Sequence, residues 1–178
     1  MALELTIFAA AARQCVPVLG RGLIDAHRML RSSLNDLSLA VVAGRQMAVL
    51  HRRFLGQAGP TDVLSFELDH DRRGRVISGE IVVCSTIAQL RARERGQPLS
   101  HELLLYAIHG LLHLSGFDDR TESAFAAMHA KEDEILTRLG IGPVFAPRAG
   151  RLGLGAGRLG LGAGRHRLRN GVRKCRST

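Results

Sequence analysis

Two histidines, His109 and His113, stand four residues apart in an otherwise apolar segment. At 3.6 residues per helical turn their imidazoles project from one helix face, one above the other, so both can reach one metal ion. Gly116 follows three residues later and can end the helix with a positive φ. The chain can then turn back and bring Asp118 or Asp119 toward the same ion. Two imidazoles and one carboxylate leave a fourth position for water, the open geometry of catalytic zinc.

The same residues have a purely structural explanation. A histidine on an apolar helix is usually a core residue that bonds to a backbone carbonyl. Two such rings need two partners, and leaving them unpaired in the core costs about 1–3 kcal/mol each. A metal ion with a carboxylate satisfies both rings, so the spacing favours a metal site over two core histidines.

The elements that position these residues follow from apolar periodicity and from chain breakers. The segment Leu103–Leu114 is apolar on nearly every side, which is typical of a helix buried in the centre of a domain. The turn at 69–74 is short and charged, and it predicts an antiparallel hairpin between its flanking strands. Strands are predicted at Leu3–Phe8, Leu37–Val42, Val63–Leu68 and Val76–Cys84, and further helices at Val16–Leu34, Gly44–Phe54, Thr86–Arg95 and Thr121–Leu139. The predicted fold class is α+β.

The net charge of +9 is concentrated at one end of the chain. Nine basic residues and no acidic residue lie within 140–178, which leaves 16 of the 25 basic residues and all 16 acidic ones in 1–139. The heptapeptide RLGLGAG occurs twice in succession from residue 151, and glycine raises the entropic cost of ordering. We predict a folded domain over 1–145 and a flexible, basic Gly/Arg-rich tail over 146–178. The tail is either a solvated extension without a role or a non-specific phosphate-binding arm.

Cysteine usage and hydropathy indicate a reducing, cytoplasmic setting. The three cysteines are odd in number and widely spaced, which argues against a disulfide framework. No apolar run reaches the roughly 18 residues of a membrane span. No basic residue precedes Arg13, so we expect neither a signal peptide nor a membrane segment.

Three segments together resemble the YbeY-type endoribonucleases, also called rRNA maturation factors. Residues 109–119 read HGLLHLSGFDD and are similar to the family signature H-G-x-L-H-L-x-G-[YF]-D-H, in which three histidines hold zinc. Residues 60–66 read PTDVLSF, similar to P-T-[ND]-V-L-S-F, and residues 79–83 read GEIVV, similar to G-[DE]-I-x-[IV]. The segments occur in the family's order, and the resemblance covers about Asn35 to Ile141.

The resemblance implies a zincin-like single domain in which a small mixed sheet packs on helices and a buried helix carries the metal. It implies one zinc ion per chain held by His109, His113 and Asp119, with zinc-bound water as the catalytic group. Asp118 would orient a histidine or the loop from outside the ligand set. The implied activity is single-strand-specific endoribonuclease cleavage in ribosomal RNA maturation, at the 3′ end of 16S rRNA, and in ribosome quality control. The implied partners are ribosomal RNA and ribosomal subunits in the cytoplasm.

Two positions depart from the family pattern. Asp119 replaces the third histidine, which makes the centre one unit less positive and should acidify its bound water less. We therefore expect a more alkaline activity optimum than in an Asp119→His variant. Leu55 stands where the family usually carries an arginine. Arg52 and Arg53 lie nearby as candidate substrate-binding residues, or they are solvated helix ends.

Asp62, Ser65 and Glu80 are further candidates for lining the cleft, although Asp62 and Ser65 could instead fix a turn and Glu80 could face solvent. Two other functions stay open. A zincin-like metallopeptidase would place a glutamate after the first histidine as general base, and Gly110 argues against it. A non-catalytic ribosome-associated factor with a structural metal is the second alternative.

Overall fold

A computed structural model describes residues 3–144 and, for its backbone only, residues 165–167. The strands are β1 (Glu4–Ala9), β2 (Asp36–Val42), β3 (Val63–His70), β4 (Val76–Cys84) and β5 (Arg165–Arg167). The helices are α1 (Val16–Leu30), α2 (Gly44–Leu55), α3 (Ser85–Arg95), α4 (Leu99–Leu114) and α5 (Glu122–Arg138), and a 3₁₀ turn at Arg13–Cys15 precedes α1. These elements confirm the predicted α+β class.

The strands form one mixed sheet in the order β1-β2-β4-β3-β5. β2 pairs in parallel with both β1 and β4, and Leu37 lies opposite Leu5 and Gly79. β3 and β4 pair antiparallel, with Val63 opposite Val83, which confirms the predicted hairpin. Within the sheet, the parallel strands β2 and β1 thus lie to one side of β4, and its antiparallel partner β3 lies to the other.

Helices cover both faces of this sheet. Successive residues of a strand point to opposite faces. Leu39 and Ile81 therefore join the main core with α1, α4 and α5, while Val82 packs with Met47 of α2 in a smaller core. A residue's parity along its strand decides whether it lies on the α4 face or on the α2 face.

The central helix α4 is buried except in its first turn. Every residue from Glu102 to Leu114 is buried, which confirms the prediction of a helix in the domain centre. The helix lies against β3 and β4 and between α1 and α3. It approaches β4 closely at Gly79, where an added Cβ would lie 2.7 Å from Leu114 Cδ1. This packing fixes where the two histidines of α4 lie relative to the sheet.

The predicted helix Val16–Leu34 ends four residues early, at Leu30. Arg31 adopts a left-handed conformation with φ of 48°, which turns the chain toward β2. His27 Nε2 then lies 2.9 Å from the carbonyl oxygen of Leu34. A loop thus returns over the end of α1 where the apolar spacing alone suggested continued helix.

The tail predicted for 146–178 lies outside the described residues, except for the backbone of β5. That strand pairs in parallel with β3, with Arg165 opposite Ser65 and Arg167 opposite Glu67. Among the described residues, no helix has the length and apolar character needed to cross a membrane.

Candidate metal centre

His109 and His113 lie one turn apart on α4, and each side chain is 1% exposed. Their Nε2 atoms are 3.1 Å apart, and their rings meet edge to face. The helix ends immediately afterwards, because Gly116 takes a φ of 99° and the N–H of Phe117 bonds back to Leu112. The turn predicted at Gly116 is therefore confirmed, and it reverses the chain beside the histidines.

Asp119 completes the group from the loop beyond that turn. Its Oδ2 lies 3.9 Å from His113 Nε2, and the ligating atoms of His109, His113 and Asp119 all lie within 4.8 Å of one another. Asp118 does not belong to this group. Its Oδ1 accepts the backbone N–H groups of Asp119, at 2.8 Å, and Arg120, at 3.3 Å. These bonds shape the loop that presents Asp119.

The Nδ1 atoms of both histidines, on the side of each ring away from the Nε2 pair, face oxygen acceptors. His109 Nδ1 lies 2.6 Å from Glu132 Oε1, and His113 Nδ1 lies 3.3 Å from the carbonyl oxygen of Phe117. A carbonyl and an ionised carboxylate can only accept, so both Nδ1 atoms carry the proton. The lone pairs of the two Nε2 atoms then face one another. Two lone pairs at this distance are reconciled either by a bound metal ion or by a proton shared between the rings.

The spacing of the ligand atoms fits zinc. Zn–N bonds of ~2.0–2.1 Å in a tetrahedral shell place two ligand nitrogens ~3.3 Å apart. The Nε2 atoms of His109 and His113 stand 3.1 Å apart, close to that value. Two imidazoles and a carboxylate are also a donor set that zinc accepts in catalytic sites. The residues present therefore fit the metal that the sequence predicted.

Glu132 and His129, both on α5, were not predicted from the sequence. Glu132 is completely buried and holds His109 through Oε1 and His129 Nδ1 through Oε2, at 2.5 Å. Burial alone would raise the pKa of Glu132, but the hydrogen bonds and charges of His109 and His129 outweigh it and hold that pKa below its ordinary value. The sequence does contain an indication that Glu132 is buried, because this residue shares a helix face with the apolar Met128 and Ile135. A charged residue on an apolar face indicates a buried partner.

Gly110 faces the sheet rather than the histidine pair. A Cβ at this position would lie 2.9 Å from Ile81 Cγ2. A glutamate side chain there would be directed into β4, away from the ligand atoms. This packing agrees with the expectation that the site lacks the general base of zincin peptidases.

A family model described as endoribonuclease YbeY matches residues 19–140. The chain belongs to the YbeY family. Endoribonuclease YbeY of Acidothermus cellulolyticus is 38% identical over 144 residues, which cover 75% of this chain and 87% of that protein. Endoribonuclease YbeY of Geobacillus thermodenitrificans is 36% identical over 115 residues, which cover 60% of this chain and 74% of that protein.

The fold has a counterpart among solved structures. The solution structure of a protein from Thermotoga maritima superposes with a TM-score of 0.54 at 26% sequence identity, covering 83% of this chain and 99% of that chain. The buried, histidine-bearing α4 thus lies in a fold shared with a solved protein. The YbeY resemblance inferred from three short motifs is confirmed.

Ser65 lies on the α4 face of β3, opposite Ile81, and Asp62 directly precedes that strand and interacts electrostatically with His109. Both are buried, and Asp62 Oδ1 accepts the Thr61 hydroxyl at 3.0 Å and the Val63 N–H at 2.8 Å. Burial raises the pKa of Asp62, and these hydrogen bonds and the nearby His109 oppose that rise only in part. Asp62 therefore borders the centre, and it also fixes the turn into β3.

Glu80 lies on the other face of the sheet. It alternates with Ile81, which contacts α4, and it shares its side of β4 with Val82 of the smaller core. Of the two roles open to Glu80, the structure therefore does not support lining the cleft. The pattern of alternation was visible in the sequence, but both faces of this sheet are covered by helices.

Arg52 and Arg53 lie in the last turn of α2 and are exposed. The Arg53 guanidinium carbon stands 5.6 Å from the centre of the Phe54 ring. Since α2 packs on the face opposite α4, the structure does not bring either arginine into the group formed by the two histidines and Asp119. Leu55 ends the same helix, and Gly56 follows with a φ of 69°.

Proposed function

We propose that this protein is a zinc-dependent endoribonuclease that cuts single-stranded RNA in ribosomal RNA maturation, at the 3′ end of 16S rRNA, and in ribosome quality control. Its membership of the YbeY family supports endonuclease chemistry on RNA. The observation that carries the proposal is the facing pair of Nε2 atoms, 3.1 Å apart, with a carboxylate beside them.

One zinc ion per chain would be held by His109, His113 and Asp119. When bound, zinc supplies a Lewis acid that polarises a phosphoryl oxygen and stabilises the charge that develops during phosphodiester cleavage. Because the two histidines are buried and Asp119 is partly exposed, the RNA approaches from the side of the Asp119 loop.

The surrounding residues hold these ligands in place. Glu132 accepts the Nδ1 proton of His109 and so fixes its tautomer and ring orientation. The carbonyl of Phe117 does the same for His113. Asp118 positions the loop that carries Asp119, because its carboxylate accepts the backbone N–H groups of Asp119 and Arg120. None of these three groups needs to touch the RNA.

Substrate and partners are proposed from charge and from the family. Arg52 and Arg53 are exposed cations that can bind the phosphates of the RNA, and the basic residues of the 146–178 segment can add non-specific affinity. Ribosomal RNA and ribosomal subunits in the cytoplasm are the proposed partners.

The proposal is tested by metal content and cleavage measured on the same preparations. Purified protein should carry one zinc per chain and should cut single-stranded RNA in preference to duplex, and a chelator should abolish cleavage. His113→Ala should lose zinc and activity. His101→Ala, on the same helix but outside the group, should keep both.

Two outcomes would contradict the proposal. A folded, zinc-loaded protein that cuts no RNA would favour a ribosome-associated factor with a structural metal. Zinc retained at full stoichiometry in both His109→Ala and Asp119→Ala would show that the ion lies elsewhere. A peptidase assay on the zinc-loaded protein should give no cleavage.

A further inference from the structure

A small cavity opens beside His113, on the side of the β3–β4 hairpin. Its volume is about 160 Å³, and its polar lining comes from Ser33, Glu67, His70, Arg75, His113 and Ser115. At ~30 Å³ per water it has room for about five water molecules. Sites for drug-sized ligands span ~300–1,000 Å³, so this cavity suits a group of one or two small rings.

The acidic group of the wall is the Glu67 carboxylate. Glu67 lies on the α4 face of β3 and is 11% exposed, and its Oε2 lies 3.1 Å from His70 Nε2. The β3–β4 register shifts between Glu67 and Asp69, which turns His70 back toward Glu67. Each carboxylate oxygen can accept more than one hydrogen bond, so Glu67 can bind His70 and a ligand donor together.

Two serines of the wall, Ser33 and Ser115, use their hydroxyl protons within the protein. Ser33 Oγ donates its proton to the carbonyl oxygen of Val76 at 2.8 Å, and Ser115 Oγ donates to Ser32 Oγ at 3.0 Å. A hydroxyl that has given its only proton away offers lone pairs alone. The inner wall is therefore rich in acceptors and calls for a ligand with N–H donors.

One cation, Arg75, lies at the edge of the cavity. Arg75 is exposed there, and its guanidinium is steadied by Asp71 at 2.7–2.8 Å. An anionic group outside the cavity would meet Arg75 while a donor-bearing ring enters. A nucleotide has both parts, a phosphate and a base.

We propose that this cavity binds the base of a nucleotide adjacent to the cleaved bond and selects bases that carry an amino group over uracil. The inference rests on the proposed RNA substrate, because His113 both lines the cavity and belongs to the metal centre. The amino group of cytosine, adenine or guanine donates to Glu67, as acidic side chains accept from cytosine N4 in DNA complexes. Uracil presents carbonyl oxygens on both sides of its single N–H, and these repel a carboxylate.

Binding of two pyrimidine oligonucleotides isolates the amino group. Pentacytidylate and pentauridylate have the same charge and ring size, so phosphate contacts cancel when both are titrated at one salt concentration. Zinc-loaded wild-type protein should bind pentacytidylate about tenfold more tightly, since a good base contact discriminates by ~1–3 kcal/mol. Glu67→Gln should bring the ratio to within about twofold, and the exposed Glu94→Gln should leave it unchanged.

A second variant guards against a folding defect in Glu67→Gln. Ser115→Ala removes one acceptor from the wall without removing the Glu67–His70 pair, and it should lower the ratio partway. Thermal unfolding of each variant shows whether it is folded. A wild-type ratio near one, or an unchanged ratio in folded Glu67→Gln and Ser115→Ala, overturns the proposal.

Cleavage of a randomised single-stranded RNA pool separates this proposal from the proposed function. Wild-type protein should avoid uracil at one position next to the cut, and Glu67→Gln should lose that avoidance at that position alone. Cleavage that is indifferent to the flanking base would overturn the base pocket and leave the nuclease proposal standing. A binding preference for cytosine without cleavage of any RNA would do the reverse.

Discussion

The Nδ1 atom of His109 lies 2.6 Å from Oε1 of Glu132, a residue on another helix and 23 positions further along the chain. The contact joins α5 to the histidine-bearing face of α4. It also leaves His109 Nε2 as the lone-pair atom that faces His113. The orientation of a proposed ligand thus depends on the packing of a helix that supplies no ligand.

Replacing Glu132 by glutamine should weaken zinc binding by about 10–100-fold, the range usual for a partner of a metal-bound histidine. The amide keeps the size of the side chain but removes the charge that His109 and His129 share. Competition with a calibrated zinc chelator measures the change. Glu134→Gln, on the exposed side of the same helix, is the matched control, and equal zinc affinities in the two variants would contradict this role.

Gly110→Ala should destabilise the protein by up to about 2 kcal/mol. The added methyl group would lie 2.9–3.2 Å from three carbons of Ile81, and such overpacking costs ~1–3 kcal/mol against ~1 kcal/mol gained in helix propensity. In an Ile81→Ala background the same substitution should become stabilising, because the close contact with Ile81 is gone and only the gain in helix propensity remains. Denaturant unfolding of the four proteins gives the coupling, and an unchanged sign would exclude the close approach as the cause.

The sequence predicted the histidine pair well because its geometry is local. A spacing of four residues and a glycine turn are set within α4 and the loop that follows it. The contact between His109 and Glu132 depends on how α5 packs on α4, and no local pattern contains that angle. The sequence did place Glu132 on an apolar face, and this marks it as buried without naming its partner.

The face of the sheet that α4 covers is a second feature that local sequence patterns do not predict. Alternation along β4 separates Glu80 from Ile81, but it does not say which face α4 will cover. Both faces are apolar here because helices pack on both. The choice of face is made by crossover connections between distant elements, and the sequence therefore left open whether Glu80 lines the cleft.

Asp119→His should shift the pH profile of RNA cleavage toward lower pH. The substitution makes the ligand set more positive by one unit, and water bound at a more positive centre loses its proton at lower pH. Cleavage rates of the zinc-loaded proteins across the pH range measure the shift. Asp69→His, in the exposed hairpin, controls for the titration of an added histidine, and superimposable profiles for wild type and Asp119→His would contradict the ligand role of Asp119.

Glu80→Gln should raise stability at pH 7 and leave RNA cleavage unchanged. Burial raises the pKa of Glu80, so the folded state holds its proton more tightly than the unfolded chain does. The stability that this proton provides is complete below the unfolded pKa of ~4.3 and is lost as the pH rises through the higher folded pKa. Thermal unfolding should therefore occur at a higher temperature in the variant than in wild type at pH 7. The two unfolding temperatures should become equal near pH 4. The exposed Glu94→Gln should show no such convergence, and a loss of cleavage in folded Glu80→Gln would place Glu80 in the cleft after all.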